Sequence, residues 1–178
     1  IPLRLVGSEM CIRDSSYGDS AVCANGETLL SESLDSLGAI SDGQIIVGAG
    51  VSIDSILKMV VPQGWFVPVT PGTRFVTVGG AIAADVHGKN HHHDGSFGAY
   101  VDWLELIIAD GHSIRVSPDH RPELFWATVG GMGLTGMITR AAIRLLPIQS
   151  SQMKVLTTRH SDLDDLMATM IERDKTHR

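Results

Sequence analysis

TVGGAIAADVHGKNHHH, residues 77–93, is the stretch on which the reading of this chain turns. It opens on the pair Gly79-Gly80 and continues with small residues, Ala81, Ala83 and Ala84. A carboxylate, Asp85, and the polar run His87-Gly88-Lys89-Asn90 follow. Small residues let a backbone approach a bulky ligand, and glycine adopts backbone angles that other residues avoid. A helix or turn starting near Thr77 would aim free N–H groups and a partial positive charge at an anion. Upstream, Pro68-Val-Thr-Pro71-Gly72-Thr73 reads as a rigid turn feeding the chain into that position. The pattern alone leaves a second reading open: a buried Gly/Ala-rich packing helix followed by a polar loop.

The totals narrow the classes. At 178 residues, 43% hydrophobic and 19% charged, the chain is globular. Its net charge of -6 and lack of a basic cluster argue against nucleic acid as a partner. No apolar run is long enough to span a bilayer. Cys11 and Cys23 make no disulfide framework and read as free thiols. The glycines cluster at Gly48-Gly50, Gly79-Gly80 and 130–136, at positions rather than along a linker. Ile stands at position 1, and the chain reads as a piece of a longer protein.

Outward from the central stretch, hydrophobic period and turn chemistry set the elements. Residues 16–20 and Asn25-Gly26 read as turns, with a short strand over 27–33. Asp42-Gly43 turns into a buried strand over 44–47. Ser52 is a helix N-cap for Ile53, Ile56, Leu57 and Val60, stopped by Pro62 and Gly64. Residues 65–69 are extended. Strands over 101–109 and 112–117 flank the Asp110-Gly111 turn. A short helix over 123–129, a glycine-rich turn and a strand over 137–146 closed by Pro147 come next. An amphipathic helix over 161–173 takes Ser161 as its N-cap and Leu163, Leu166, Met167, Met170 and Ile171 as its apolar face.

Gly131-Met-Gly133-Leu-Thr-Gly136 matches G-x-G-x-x-G, but a dinucleotide fingerprint needs a strand before it and a helix after. Here the order is reversed, so it reads as a turn between helix and strand. His87, His91, His92 and His93 are plainly read as loop histidines, because adjacent residues do not easily converge on one ion. No metal is expected. No G-x-S-x-G elbow offers serine hydrolase chemistry. Asp110 is read as turn chemistry.

Pro71-Gly72-Thr, Thr77-Val-Gly-Gly80 and Asp85-Val-His87-Gly88-Lys89-Asn90-His-His resemble the FAD-binding domain of the vanillyl-alcohol-oxidase (PCMH-type) superfamily. Within it they are similar to the decaprenylphosphoryl-β-D-ribose 2-oxidase family. The likeness continues through Gly95-Ser-Phe-Gly98, Ala109-Asp-Gly111 and the run from Glu123 to Gly136, ELFWATVGGMGLTG, and covers about 16–147. It implies an α+β, PCMH-type FAD-binding domain of two α/β subdomains, truncated at both ends. Residues 1–15 then read as foreign to the domain, and 148–178 as the start of an incomplete substrate domain.

The resemblance also implies a site. Ser16, Tyr17, Gly18 and Asp19 match the end of the family's phosphate loop, roughly R-G-x-G-x-S-Y-G-D, although CIRDS before them lacks its glycines. Gly72, Thr77, Val78, Gly79 and Gly80 would line pyrophosphate and flavin, and Ala84, Asp85, Val86 and His87 would continue along the flavin. Ala84 stands where the close relative has a Cys. Ile138 would meet the adenine end through its backbone. His87 and Lys89 would act catalytically on the substrate side. Some relatives attach FAD to a His before the Ser; Ser15 stands there, so FAD is expected to be non-covalent. Gly79→Val or Gly80→Val is expected to abolish flavin binding without unfolding the domain.

The implied reaction is FAD-dependent oxidation of a sugar hydroxyl, the ribose C2 hydroxyl of a polyprenyl-phosphate sugar, in making cell-wall arabinan precursors. An NAD-dependent keto-sugar reductase would be the partner, and membrane contact would be peripheral, through the lipid substrate, at the inner membrane or from the cytoplasm. The chain alone is expected to be inactive. A sugar-lactone or alditol oxidase is the alternative enzyme, and a piece that holds no FAD is the alternative to an enzyme.

Overall fold

A computed structural model of the chain describes residues 31–177. Seven strands and five helices follow in order: β1 (Leu37–Ser41), β2 (Gln44–Gly48), α1 (Ile53–Val60), β3 (Trp65–Phe66), α2 (Val78–Ala83), α3 (His91–Asp94), β4 (Val101–Ile107), β5 (Ser113–Val116), α4 (Pro122–Thr128), β6 (Met137–Arg144), β7 (Leu146–Pro147) and α5 (Leu163–Arg173). Five strands form one sheet in the order β1-β2-β6-β4-β5, and β3 pairs with β7 apart from it. Every pairing is antiparallel. The expected α+β character is what forms.

The centre of the sheet is β6, held between β2 and β4 although the three are far apart in sequence. Ala141 and Ile143 are buried where Arg140 and Arg144 are exposed, as alternation requires, and an irregularity in the pairing with β4 between Arg140 and Ile138 lets Ile138 be buried too. The outward charges pair across strands. Arg115 meets Glu105 at 2.9 Å, Arg140 meets Glu105 at 3.7 Å, and Arg144 meets Asp102 at 2.8 Å. Such exposed pairs fix register more than they stabilise. On the other side Ile45, Val47, Leu104, Leu106 and Ile143 are fully buried with Ile53, Ile56, Val78, Ile82, Phe97 and Phe125.

Helix α1 forms where Ser52 predicts it, the Ser52 hydroxyl accepting the Ser55 N–H at 3.1 Å. Its other first-turn donors reach the loop before α2: Ile53 N–H to Val76 O and Asp54 N–H to Arg74 O. A hydrogen bond from the Lys58 ammonium (2.7 Å) holds the Asp54 carboxyl below its usual range. Gly64, at φ 81°, ends the 3-10 turn that follows α1. Between α4 and β6 lies the glycine-rich turn, in the helix-then-strand order that excludes the dinucleotide reading.

Strand β1 and helix α5 differ from the sequence reading, and one expected strand lies mostly outside the described residues. Strand β1 had no periodic signal in the sequence. It exists because Asp42, at φ 50°, and Gly43, at φ 73°, fold it back on β2. The strand expected over 27–33 falls mostly outside the described residues, and 31–33 turn instead. Helix α5 is capped by Asp162, whose carboxylate accepts the Asp165 N–H at 2.9 Å, and not by Ser161. Its apolar face is mostly in solvent: Leu163, Met167, Met170 and Ile171 are all more than half exposed, and Leu166 is half-buried. Among the described residues no helix is long and apolar enough to cross a membrane.

Leu104 sits opposite both Val116 and Ala141 and is fully buried. Leu104→Ala should therefore cost about 2–5 kcal/mol, read from the urea midpoint. A cost below 1 kcal/mol would contradict the central place given to β4.

Candidate functional site

Helix α2 begins at the expected place. Thr77 is its N-cap, with its hydroxyl accepting the Gly80 N–H at 3.2 Å. The expectation that this end presents free donors to an anion is overturned. Val78 N–H donates to Val51 O at 2.9 Å, and Gly79 N–H donates to Ala49 O at 2.8 Å. Together with the Thr77 hydroxyl, these partners satisfy the groups that a phosphate would otherwise use. The helix start is a structural joint to the segment after β2.

The other end is equally closed. Asp85 N–H donates to Ile82 O and Val86 N–H to Ala81 O, both at 3.0 Å. With Asp85 at φ 43°, these bonds make a Schellman cap with an aspartate where glycine is usual. The Asp85 carboxylate accepts the Gly98 N–H at 2.9 Å, a tie across 13 residues that holds it there. The glycine-rich turn completes the cap: Gly130 N–H donates to Ile82 O and Met132 N–H to Ala83 O. That turn needs positive φ at Gly130, Met132 and Gly133. Its glycines serve the end of α2.

After Asp85 the chain runs outward. Phe97 N–H donates to Val86 O, and His87 bridges to Ser96. Gly88 is buried against the upstream turn, where an added Cβ would lie 2.8 Å from Thr70 O. Asn90 ties the two loops, its amide donating to Pro68 O at 3.0 Å and to the Asp94 carboxylate at 2.7 Å. Helix α3 is a single turn with its three histidines exposed. His91 turns its Nδ1 to Gly88 O at 3.1 Å and stands 5.1 Å from the His87 ring.

Most of the sequence-derived site thus gathers around α2. Thr77, Val78, Gly79 and Gly80 are buried, Ala84, Asp85 and Val86 are half-buried, and His87 and Lys89 are exposed on the loop beyond. Ile138 is buried in β6, and its neighbour Thr139 reaches α2 in two steps: Ala49 N–H donates to Thr139 O, and Ala49 O accepts from Gly79. Gly72 is exposed, and an added Cβ would meet nothing within 4 Å. Ser16, Tyr17, Gly18 and Asp19 lie outside the described residues. Because Gly79 and Gly80 are buried, Val at either would load the fold as well as any ligand. Gly72, which is exposed with nothing near an added Cβ, is the cleaner probe. The tie between Asp85 and Gly98 was not visible in the sequence, where each looked like an isolated residue.

Against this geometry, residues 10–117, more than half of the chain, match the family model described as FAD binding domain. The chain belongs to that family, and FAD is its cofactor. Over 141 residues, 76% of this chain, it is 48% identical to decaprenylphosphoryl-beta-D-ribose oxidase of Mycolicibacterium smegmatis, covering 30% of that protein. It is 31% identical to D-lactate dehydrogenase of Archaeoglobus fulgidus, over 87% of this chain and 36% of that protein. It is 26% identical to D-arabinono-1,4-lactone oxidase of Eremothecium gossypii, over 75% of this chain and 26% of that protein. The chain spans about a third of the length of the first of these curated relatives.

The described residues suit one end of such a cofactor better than the other. Small positions open to solvent, Gly72 and the partly exposed Ala84, leave room for a flat ring. The donors at the starts of α1 and α2 are already engaged, so neither helix offers a pyrophosphate cradle. The family match begins at residue 10, ahead of the described residues.

Asp85 holds a left-handed angle at some strain. Asp85→Gly and Asp85→Ala both lose the bond to Gly98, but only Ala keeps the strain. The Gly variant should be the more stable by about 1 kcal/mol in chemical denaturation. The reverse order would show that the turn does not adopt this conformation.

Proposed function

We propose that this chain is the flavin-holding part of an oxidoreductase that oxidises a sugar hydroxyl. The substrate would be a polyprenyl-phospho-ribose whose C2 hydroxyl becomes a ketone. The observation that carries this reading is the 48% identity to a decaprenylphosphoryl-beta-D-ribose oxidase over 76% of the chain. Identity falls to 31% and 26% for the lactate and lactone relatives. The lactone relative supports the weaker alternative, a sugar-lactone or alditol oxidase.

When bound, FAD would supply the redox chemistry by taking a hydride equivalent from the carbon bearing the hydroxyl. The chain's own share is placement, charge and proton handling. Gly72 and Ala84 leave space for the ring, and Asp85 fixes the turn that ends α2 by accepting from Gly98. In this proposal Thr77, Val78, Gly79 and Gly80 form the wall behind the ring, and Ile138 belongs to the adenine side. Ser16, Tyr17, Gly18 and Asp19 would contribute the phosphate donors that α2 does not. His87 and Lys89 are exposed on one loop, so both can reach a substrate. His87 would hold the hydroxyl and take its proton. Lys89 would balance negative charge on the ring system. FAD would be held non-covalently. The keto product would pass to an NAD-dependent reductase, and membrane contact would come only through the substrate's lipid.

The test compares substrates on the full-length protein loaded with FAD, without oxygen. Decaprenylphosphoryl-ribose should bleach the flavin absorbance at least about tenfold faster than D-lactate or arabinono-1,4-lactone. His87→Gln and Lys89→Met should slow that bleaching by about 100-fold or more while the flavin spectrum stays. Faster bleaching by the lactone would favour the alternative, and no bleaching by any of the three would overturn the reading.

A further inference from the structure

The histidines of α3 acquire a partner that lies 81 residues from His93. His92 Nε2 stands 3.4 Å from the Asp174 carboxylate, and His93 Nε2 stands 3.0 Å from the Asp174 backbone oxygen. One ligand atom from each of His92, His93 and Asp174 falls within a set whose members are all within 4.8 Å of one another. A shallow cleft of about 430 Å³ opens beside them, lined by His93, Asp94, Asp174, Lys175, Thr176 and His177. The difficulty with three adjacent histidines does not arise. His91 faces Gly88, and the third ligand comes from the end of α5.

We propose that His92, His93 and Asp174 bind a divalent zinc-like ion that clasps the end of α5 to α3. The site lies outside the residues given to the flavin and does not depend on that reading. Two imidazoles and one carboxylate are a donor set that zinc takes, with a water in the fourth position. Ligand bonds of about 2.0–2.2 Å in a tetrahedron put neighbouring ligand atoms about 3.4 Å apart. The 3.4 Å between His92 Nε2 and Asp174 already matches that spacing, and it is long for a hydrogen bond. All three ligand atoms lie within 4.8 Å of one another, so any separation must close by at most about 1.4 Å, which exposed side chains can do. The clasp has work to do, because Leu163, Met167, Met170 and Ile171 of α5 are more than half exposed and Leu166 is only half-buried. Metal binding would add to the little packing that holds α5.

The test is calorimetric titration of the purified chain with zinc sulfate, with amide exchange of α5 followed in parallel. One zinc per chain should bind, and exchange in α5 should slow at least about tenfold. Asp174→Asn and the pair His92→Ala/His93→Ala should each weaken binding at least about tenfold, whereas His112→Ala, on an exposed turn elsewhere, should not. Circular dichroism checks that each variant keeps its fold. No binding to the wild-type chain overturns the proposal. Binding that survives Asp174→Asn with α5 exchange unchanged also overturns it, since the ion would then rest on the histidines alone.

Discussion

Six residues of helix are too few to stand in water, and α2 exists because the rest of the chain closes both of its ends. Its first donors go to Val51, Ala49 and the Thr77 hydroxyl. Its last four carbonyls, from Gly80 to Ala83, receive Ala84, Val86, Asp85 with Gly130, and Met132. Through those bonds α2 joins the segment after β2, the turn before β6 and, by way of Asp85 and Gly98, the approach to β4. The side chains between the ends are small or buried, so the helix lies directly on the core. Positions along 72–89 follow from this one joint.

The same closure decides where a cofactor can be held. A helix start usually attracts phosphate because its N–H groups lack partners. Here they are occupied, so the joint that builds the fold removes α2 from the list of phosphate cradles. What α2 and its loops leave is surface: an unobstructed Gly72, a half-buried Ala84, and a loop that carries His87 and Lys89 outward. Holding the loop from behind are Asn90 on Pro68 and Gly88 on Thr70. Buried scaffold and exposed polar side chains are thus separated within about a dozen residues.

Much of this was legible in the sequence where the signal is local. Thr77 and Ser52 announced their helices, Asp42-Gly43 and Asp110-Gly111 their turns, and the reversed order around Gly131 excluded a dinucleotide fingerprint. Long-range pairings were not legible. Strand β1, with Gly38 and Ala39 at its centre, has little strand propensity and forms only by pairing with β2. The Asp85 bond to Gly98 and the meeting of His92 with Asp174 join residues whose neighbours in sequence say nothing of each other. Free donors at Thr77 were expected from local rules, and tertiary contacts from Ala49 and Val51 took them.

In the proposed site the surface around α2 and Gly72 holds FAD. The most direct measurement is the affinity of the chain for FAD by fluorescence titration, comparing wild type with Gly72→Val and following thermal unfolding of both. Valine at this open position should weaken FAD binding at least about tenfold with the unfolding temperature unchanged, and acid precipitation of the loaded wild type should release its flavin to the supernatant. Equal affinity in the two proteins would place the flavin elsewhere, and no binding to wild type would contradict the account at its base.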